Sequence, residues 1–311
     1  MSNPVVEARG LTKVYGDTRA VDGIDFDLYP GEIVGLLGPN GAGKTTTILM
    51  MLGLTELSEG TVSVMGHDPL HDPLEVKRHI GYLPDAVGFY DHLSARENLL
   101  YTAKLAGFDR YEAREHIDVA LRRVRLDDVA DNKVASYSRG MRQRLGLAEV
   151  MMKRSDVAIL DEPTSGLDPQ STHELLDMIR GLKADGVAVL LSSHLLDRVQ
   201  SVCDRVLLFN QGRIALQGTL PELSRQVLGG GYAIEVETTR TDVPAALKGV
   251  PGIRDVIAEG GNRYRVVAES DLRSVIATRL VSQGAELLRL SVVEPRLDDI
   301  YERYFASPAA A

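Results

Sequence analysis

Short apolar runs recur along the first 217 residues of the chain and predict strands. Ile33–Leu37 and Val157–Leu160 carry almost no polar residue, which is typical of strands buried on both faces. Ala20–Leu28 alternates apolar and acidic residues, as a half-exposed strand does. Weaker runs predict further strands over 5–8, 59–66, 80–85, 187–191, 206–210 and 213–217.

Helical patterns separate most of these strands. They cover 46–54, much of 94–130, a segment that ends near 152 and a segment from Pro169 to about 184. Ser94 and Glu97 have the spacing of a capping box. Alternating strands and helices predict a mostly parallel sheet with helices on both faces. The helical stretch predicts a subdomain over about 85–155.

The pattern restarts after the triplet Gly229-Gly230-Gly231. Strands are predicted over 232–238, 253–258, 263–268 and 286–292, with helices over 242–248, 271–283 and 296–305. This β-α-β-β-α-β order predicts a small ferredoxin-like α+β domain. We therefore expect a first domain over 1–225, a Gly-rich linker over 226–231 and an accessory domain over 232–311. Our working hypothesis is that the accessory domain has a dimerising or regulatory role.

A glycine-rich segment between the predicted strand 33–37 and the helix behind it matches GxxxxGK[ST] at every position. Its glycines let backbone N–H groups turn inward around a phosphate, and the helix N-terminus adds its positive dipole end. The lysine reaches the β- and γ-phosphates, and the following hydroxyl ligates Mg²⁺. A nucleoside triphosphate site is favoured over an ordinary turn. Its residues are Gly38, Pro39, Asn40, Gly41, Ala42, Gly43, Lys44, Thr45 and Thr46.

Two carboxylates follow the apolar run Val157–Leu160. Asp161, at the end of a buried strand, is placed to hold Mg²⁺ through water, and Glu162 can take a proton from an attacking water. A solvated acidic turn is the weaker interpretation. GTP is disfavoured, because Asn132-Lys133-Val134-Ala135 lacks the carboxylate of a guanine-reading Asn-Lys-x-Asp motif.

Composition narrows the possible partners. With 35 basic and 44 acidic residues the net charge is −9, which argues against a bulk electrostatic role on nucleic acid or anionic lipid. The single Cys203 cannot form an internal disulfide, as expected in a reducing compartment. No run approaches the roughly 18 apolar residues that a transmembrane helix needs. Met1–Gly10 lacks an apolar signal core, so we expect any membrane connection to come through a partner.

The glycine-rich segment, the carboxylate pair and four further segments resemble the motifs of the nucleotide-binding subunit of ABC transporters, and they occur in the same order. The resemblance covers about residues 5–220. Gly38–Thr45 resembles Walker A, and Val157–Asp161 resembles Walker B, followed by the general-base glutamate at Glu162. The remaining motifs are similar to the signature sequence at Tyr137–Met141, the D-loop at Ser165–Asp168, the switch histidine at His194 and the adenine-stacking aromatic at Tyr15.

The resemblance implies an α/β P-loop NTPase fold with a mixed sheet, and an ATPase that uses ATP and Mg²⁺. It assigns Glu162 and His194 to catalysis, and Thr45, Asp85 and Asp161 to the metal. A head-to-tail homodimer would hold each ATP between one subunit's Walker A motif and the other subunit's signature sequence. The further nucleotide contacts are then Asp85, Ser138, Arg139, Gly140 and Asp168.

Two motifs depart from the family pattern. The signature sequence keeps the serine, Ser138, and the second glycine, Gly140, but differs at its first, third and fifth positions. Asp85 replaces the usual glutamine of the Q-loop and resembles the exporter-type branch that works with ABC-2 permeases. We therefore expect a peripheral protein on the cytoplasmic face of the membrane, bound to permease subunits. Phe89, Tyr90 and Leu93 are candidate permease contacts, or simply core of the helical subdomain.

Two alternatives from other classes are weaker. A soluble ABC protein of ribosomes or DNA usually carries two ATPase domains or a long coiled coil, whereas this sequence has one Walker A motif. An ATP sensor without turnover is disfavoured by the intact Glu162 and His194. The substrate stays open among drugs, lipids, polysaccharides and metal-centre assembly factors. Gly81–Asp91 and the signature helix also resemble the ATPase subunit of the nitrous-oxide-reductase copper-maturation transporter.

Overall fold

The computed structural model describes residues 3–228, 232–293 and 296–306. The chain divides into two compact units, and the boundary in the sequence lies between Gln217 and Gly218. The expected domain boundary at 225 lies inside a helix, Leu220–Leu228. The prediction of a linker is therefore wrong for 226–228, and 229–231 lie outside the described residues.

The first unit is built on a mainly parallel sheet with the order β5-β6-β7-β3-β8-β9. Its central strands are wholly buried, as their continuous apolar runs predict. A two-residue turn at Gln211 and Gly212, both with positive φ, joins β8 to β9 as a hairpin. The strands are β3 (Ile33–Leu37), β5 (Ile80–Leu83), β6 (Val157–Asp161), β7 (Ala188–Ser193), β8 (Arg205–Asn210) and β9 (Arg213–Gly218).

The remaining strands of this unit form a separate antiparallel sheet, β2-β1-β4. They are β1 (Val6–Tyr15), β2 (Thr18–Leu28) and β4 (Glu59–Val64). We expected one mostly parallel sheet, so these three strands were not predicted to form a sheet of their own. Their separation has a physical reason, because the alternating pattern of β2 suits an antiparallel sheet with one solvated face. Apolar residues of both sheets and of the first helix join one core, including Phe26, Ile48 and Phe209.

Helices of the first unit are α1 (Lys44–Met51), α2 (Pro73–His79), α3 (Ala95–Leu105), α4 (Arg110–Arg123), α5 (Arg139–Met152), α6 (Pro169–Ala184) and α7 (Leu196–Gln200). The predicted capping box at the start of α3 is present, with Ser94 and Glu97 bonded reciprocally. α3, α4 and α5 lie within the stretch predicted as a helical subdomain. α2 and α7 were not predicted, because neither is long enough to show a helical period.

The second unit has its own apolar core and an antiparallel sheet with the order β11-β12-β10-β13. Its elements are α8 (Leu220–Leu228), β10 (Tyr232–Thr238), α9 (Val243–Leu247), β11 (Ile253–Gly260), β12 (Arg263–Ala268), α10 (Arg273–Ser282), β13 (Leu287–Val293) and α11 (Leu297–Ala306). After α8 this is the predicted β-α-β-β-α-β order with a final helix; the ferredoxin-like assignment stays a prediction. Across all the described residues, no helix combines the length and apolarity that a membrane crossing requires.

Candidate nucleotide-binding site

The glycine-rich loop leaves β3 between two backbone segments that leave no room for side chains. A Cβ atom added at Gly38 would lie 2.4 Å from the carbonyl oxygen of Phe209, and one added at Gly43 would lie 2.5 Å from that of Ala20. Gly43 has φ +105° and is the N-cap of α1. Only glycine satisfies both conditions. The loop therefore passes close to the backbone of β8 and β2 and leads directly into α1, as the motif predicts.

Lys44 is buried at the start of α1, where it is 5% exposed. Its ammonium group donates to the carbonyl oxygens of Gly38, at 2.8 Å, and Pro39, at 3.1 Å, inside the loop. It lies 3.8 Å from a carboxylate oxygen of Glu162. Burial lowers the pKa of Lys44, and the charges of Glu162 and Asp161 oppose that shift. A cation is thus held where a phosphate-binding loop needs one.

Asp161 is joined to the phosphate loop and to the neighbouring strand. Thr45 Oγ1 donates to Asp161 Oδ2 at 3.2 Å. Ser192 Oγ donates to Asp161 Oδ1 and accepts from the backbone N–H of Glu162 at 2.9 Å. Asp161 and Ser192 are register partners at the ends of β6 and β7, so strand pairing creates this arrangement. Sequence reasoning did not single out Ser192; its signal is a polar residue that directly follows the apolar part of a buried strand.

Glu162 follows β6 with a left-handed backbone, φ +49°, which is uncommon for a residue other than glycine. The bond from its N–H to Ser192 helps to hold that conformation. Its side chain is mostly buried, and Oε2 lies 2.8 Å from Nδ1 of His194. The predicted base and the predicted switch histidine are therefore in direct contact, although 32 positions separate them in the sequence.

The oxygen groups around Asp161 suit Mg²⁺. A hydroxyl and a carboxylate stand together at Thr45 and Asp161, and Mg²⁺ commonly uses one or two carboxylates together with substrate phosphates. No set of three or more His, Cys, Asp or Glu side chains within the described chain could hold a metal alone. Burial raises the pKa of Tyr82 to about 12, with smaller contributions from the charges of Asp161 and Asp85. Asp85 is exposed beyond the end of β5, and its metal role stays a prediction.

The signature residues lie against the predicted D-loop. Ser138 caps α5 by accepting from the N–H of Met141 at 3.2 Å. The Arg139 guanidinium covers Gly166, where an added Cβ would lie 2.5 Å from Cζ. An added Cβ at Gly140 would lie 3.2 Å from Ser171 Oγ.

Asp168, the N-cap of α6, accepts from the N–H of Ser171 at 2.9 Å and from its hydroxyl at 2.6 Å. These bonds lower the pKa of Asp168. The exposed side chains of Ser138 and Arg139 have no hydrogen bond or ion pair with Gly38–Thr45 in the described chain. The structure thus groups the signature with the D-loop rather than with the phosphate loop of the same subunit.

Tyr15 differs from its predicted setting. It is not in a loop but is the last residue of β1, paired with Thr18 across the β1–β2 hairpin. Lys13 Nζ lies 4.8 Å from the ring centroid, and the hydroxyl lies 3.4 Å from Thr55 Oγ1. The side chain is 49% exposed, so a ring surface is open to an aromatic ligand. Its role with adenine stays a prediction.

The ABC transporter family model matches residues 21–165. The linearmycin resistance ATP-binding protein LnrL of Bacillus subtilis is 32% identical over 302 residues, which cover 96% of this chain and 97% of that protein. This chain belongs to the ABC transporter ATP-binding proteins. The daunorubicin resistance ATP-binding protein DrrA2 of Streptomyces coeruleorubidus is 34% identical over 308 residues, covering 97% of this chain and 95% of that protein. A solved ATP-binding subunit of an ABC transporter matches with a TM-score of 0.66 and 32% identity, over 71% of this chain and 92% of that one.

Membership confirms the predicted family, the P-loop α/β fold and the ATPase activity. The chain is an ATP-binding subunit of an ABC transporter, and the family model covers Gly38–Thr45, the segment that matches GxxxxGK[ST]. The roles of individual side chains rest on the geometry above.

Proposed function

We propose that this ABC ATPase powers export through separate ABC-2-type permease subunits. The contact between Glu162 and His194, beside the Lys44 ammonium, is the observation that carries the hydrolytic part. Two relatives that match nearly the whole chain are named for resistance to linearmycin and to daunorubicin, and this supports export. The class of substrate follows from the permease and stays open.

In the proposed mechanism, the loop N–H groups and Lys44 hold the β- and γ-phosphates. Thr45 and Asp161 would hold Mg²⁺, directly and through water, and the ion would supply positive charge that offsets the charge of the phosphates. Glu162 accepts the proton of the attacking water. His194, which contacts the Glu162 carboxylate, orients that carboxylate and the γ-phosphate region. Asp85 would supply a further carboxylate toward the metal or its water.

We further propose the head-to-tail homodimer. The exposed hydroxyl of Ser138 and the α5 N-terminus complete the ATP site of the partner subunit, because they have no polar contact with their own phosphate loop in the described residues. Arg139 adds positive charge beside them, and Ser171, which donates to Asp168, lies next to Gly140 of the same segment.

Mixing two inactive variants tests this arrangement. Lys44→Met removes the phosphate cation, and Ser138→Arg blocks the signature; each alone is expected to abolish ATPase activity. A head-to-tail heterodimer contains one site with both changes and one intact site, so an equal mixture should recover about a quarter of the wild-type rate. A mixture that stays inactive, while size-exclusion chromatography shows dimers, would overturn the arrangement.

Affinity capture from native membranes tests the export partner. Glu162→Gln with ATP and Mg²⁺ should hold the closed dimer together with its permease. The exposed Tyr90, in edge contact with Tyr101, is the best-placed of the three predicted contacts, since Phe89 and Leu93 are partly buried. Recovery of a polytopic membrane protein supports the proposal and a position on the cytoplasmic face. Recovery of ribosomes or nucleic-acid proteins without a permease would refute it.

The C-terminal unit is proposed to act in dimerisation or regulation, because it has a core of its own. Deletion of residues 229–311 should weaken dimerisation or change the rate of transport. Unchanged dimerisation and transport would remove this proposal and leave the ATPase proposal intact.

A further inference from the structure

Asp91 lies in the segment between β5 and α3, and it contacts the chain on both sides of the signature sequence. Its carbonyl oxygen accepts a hydrogen bond from the N–H of Ala135 at 3.0 Å, three residues before Ser138. Its carboxylate oxygen Oδ1 lies 2.7 Å from Nη1 of Arg142, four residues after Ser138. We call these two contacts the Asp91 bridge. One residue thus joins the two flanks of the segment that we propose to bind ATP across the dimer.

The segment that carries Asp91 is itself held in place. The N–H of Val134 donates to the carbonyl oxygen of Leu93 at 2.9 Å, which gives a second backbone bond between the same two stretches of chain. The buried side-chain amide of Asn98 accepts from the N–H of Tyr90 at 2.9 Å and donates to the Tyr90 carbonyl oxygen at 3.1 Å. A buried polar group that is bonded in this way makes the backbone around it more rigid. Asp91 is therefore a fixed support for the signature sequence.

The start of α5 lacks a negative charge of its own. Ser138 is the N-cap of α5, and the N–H of Arg142 donates to the Ser138 carbonyl oxygen at 2.9 Å. The first turn contains Arg139 and no acidic residue, although the N-terminus of a helix favours negative charge. The carboxylate of Asp91 supplies that charge from another segment and offsets the charge of Arg142.

The second half of α5 is held by close packing on β5. A Cβ atom added at Gly81 would lie 2.7 Å from Cγ1 of Val150, and one added at Gly146 would lie 2.4 Å from Cδ1 of Leu83. The two glycines thus let the helix and the strand approach each other closely. One stretch of chain therefore holds α5 along its length, with β5 against the second half and Asp91 beside the start. The orientation of Ser138 relative to β5 depends on the contact at Asp91.

We propose that Asp91 is a positioning residue for the ATPase. Through the Asp91 bridge it fixes Ser138 and the α5 N-terminus in the orientation that meets the ATP of the partner subunit, so this inference rests on the proposed head-to-tail dimer. Loss of the ion pair leaves the charge of Arg142 unbalanced and lets residues 135–141 move. Within the described chain, Asp91 has no hydrogen bond or ion pair with Gly38–Thr45. Binding of ATP to a single subunit therefore does not depend on Asp91.

Hydrogen exchange of the full chain measures the positioning without a dimer. Asp91→Arg should make the amides of residues 135–142 exchange about fivefold faster, because it replaces a partly exposed ion pair with two like charges. Arg142→Asp, added to Asp91→Arg, restores opposite charges and should bring the exchange back to within about twofold of wild type. Asp118→Arg is the matched control, because Asp118 pairs with Arg96 in the same helical subdomain. Unchanged exchange in Asp91→Arg, or equal acceleration of these amides in Asp118→Arg, would overturn the proposal.

Dimerisation driven by ATP measures the consequence for the ATPase. In the Glu162→Gln chain with ATP and Mg²⁺, Asp91→Arg should weaken the dimer by about 25-fold, because the loss at one site enters once at each of the two equivalent sites. The charge-swapped double variant should recover the dimer, and a single subunit should bind a fluorescent ATP analogue equally well in all these variants. Faster exchange with an unchanged dimer would overturn the positioning role. If the Glu162→Gln chain with Asp91 intact does not dimerise with ATP, the head-to-tail proposal fails instead, and the exchange result alone supports or overturns the Asp91 bridge.

Discussion

His194 Nδ1 lies 2.8 Å from Glu162 Oε2, and the other oxygen of the same carboxylate, Oε1, lies 3.8 Å from Lys44 Nζ. Glu162 is thus held between a group that can orient it and the cation of the phosphate loop. The backbone of Glu162 is fixed by Ser192, so the carboxylate has little freedom to leave this position. Such an arrangement suits a general base, because the base must hold a fixed position relative to the water molecule from which it takes a proton.

Glu162→Gln should lower the ATPase rate by at least about 100-fold, since a positioned general base contributes that much or more. ATP binding should remain, because the phosphate loop is unchanged. Phosphate release and nucleotide binding measure the two effects, and Glu56→Gln at an exposed position is the control. A rate within tenfold of wild type would contradict the role of Glu162 as base.

Ser192→Ala should reduce activity by about 10-fold and the free energy of unfolding by about 1–3 kcal/mol, because it removes the acceptor of the Glu162 N–H and one of the hydroxyl groups that donate to Asp161. Ser193→Ala is the matched control. That neighbour is equally buried, but it bonds to Leu195 rather than to the carboxylates. The ATPase rate should fall only in Ser192→Ala. That variant should also need a higher Mg²⁺ concentration to reach half of its maximal rate. Equal rates in the two variants would exclude a positioning role for Ser192.

Tyr15→Ala should weaken ATP binding by about 10-fold, as the loss of roughly 1–3 kcal/mol of base stacking predicts. Tyr15→Phe keeps the ring and should bind ATP as the wild type does. Tyr90→Ala removes a tyrosine of similar exposure, 48% against 49%, from the helical subdomain. Fluorescence titration with an ATP analogue compares the three. Retained affinity in Tyr15→Ala would mean that adenine does not stack there.

Ser171→Ala should raise the pKa of Asp168 toward its ordinary value, because the hydroxyl of Ser171 is the largest cause of its lowered pKa. A carboxyl group with a lowered pKa in the folded state stabilises the fold above its unfolded pKa, about 3.9, and this contribution is lost as the pH falls through the folded pKa. As the pH is lowered, Ser171→Ala should therefore begin to unfold at a higher pH than the wild type. Carbon-detected NMR titration of Asp168 and acid unfolding measure the two shifts.

Sequence order alone predicted the family, the phosphate loop and the two carboxylates, since each motif is a short segment next to a recognisable strand. Lys44, Asp161 and Glu162 needed no partner from elsewhere to be recognised. Ser192 was missed because its importance comes from strand pairing: it stands beside Asp161 only when β6 and β7 lie parallel in register. The separation of β1, β2 and β4 into their own sheet was missed for the same reason.

The sequence by itself determined the buried strands, the phosphate loop and most of the order of elements in both units, because period, glycine placement and local capping act over a few residues. The short helices α2 and α7 and the helix α8 were not predicted. Only the tertiary structure decided which distant groups meet. It brought His194 to Glu162 and laid Arg139 over Gly166. These relationships depend on the packing of segments far apart in the chain, which no local pattern encodes.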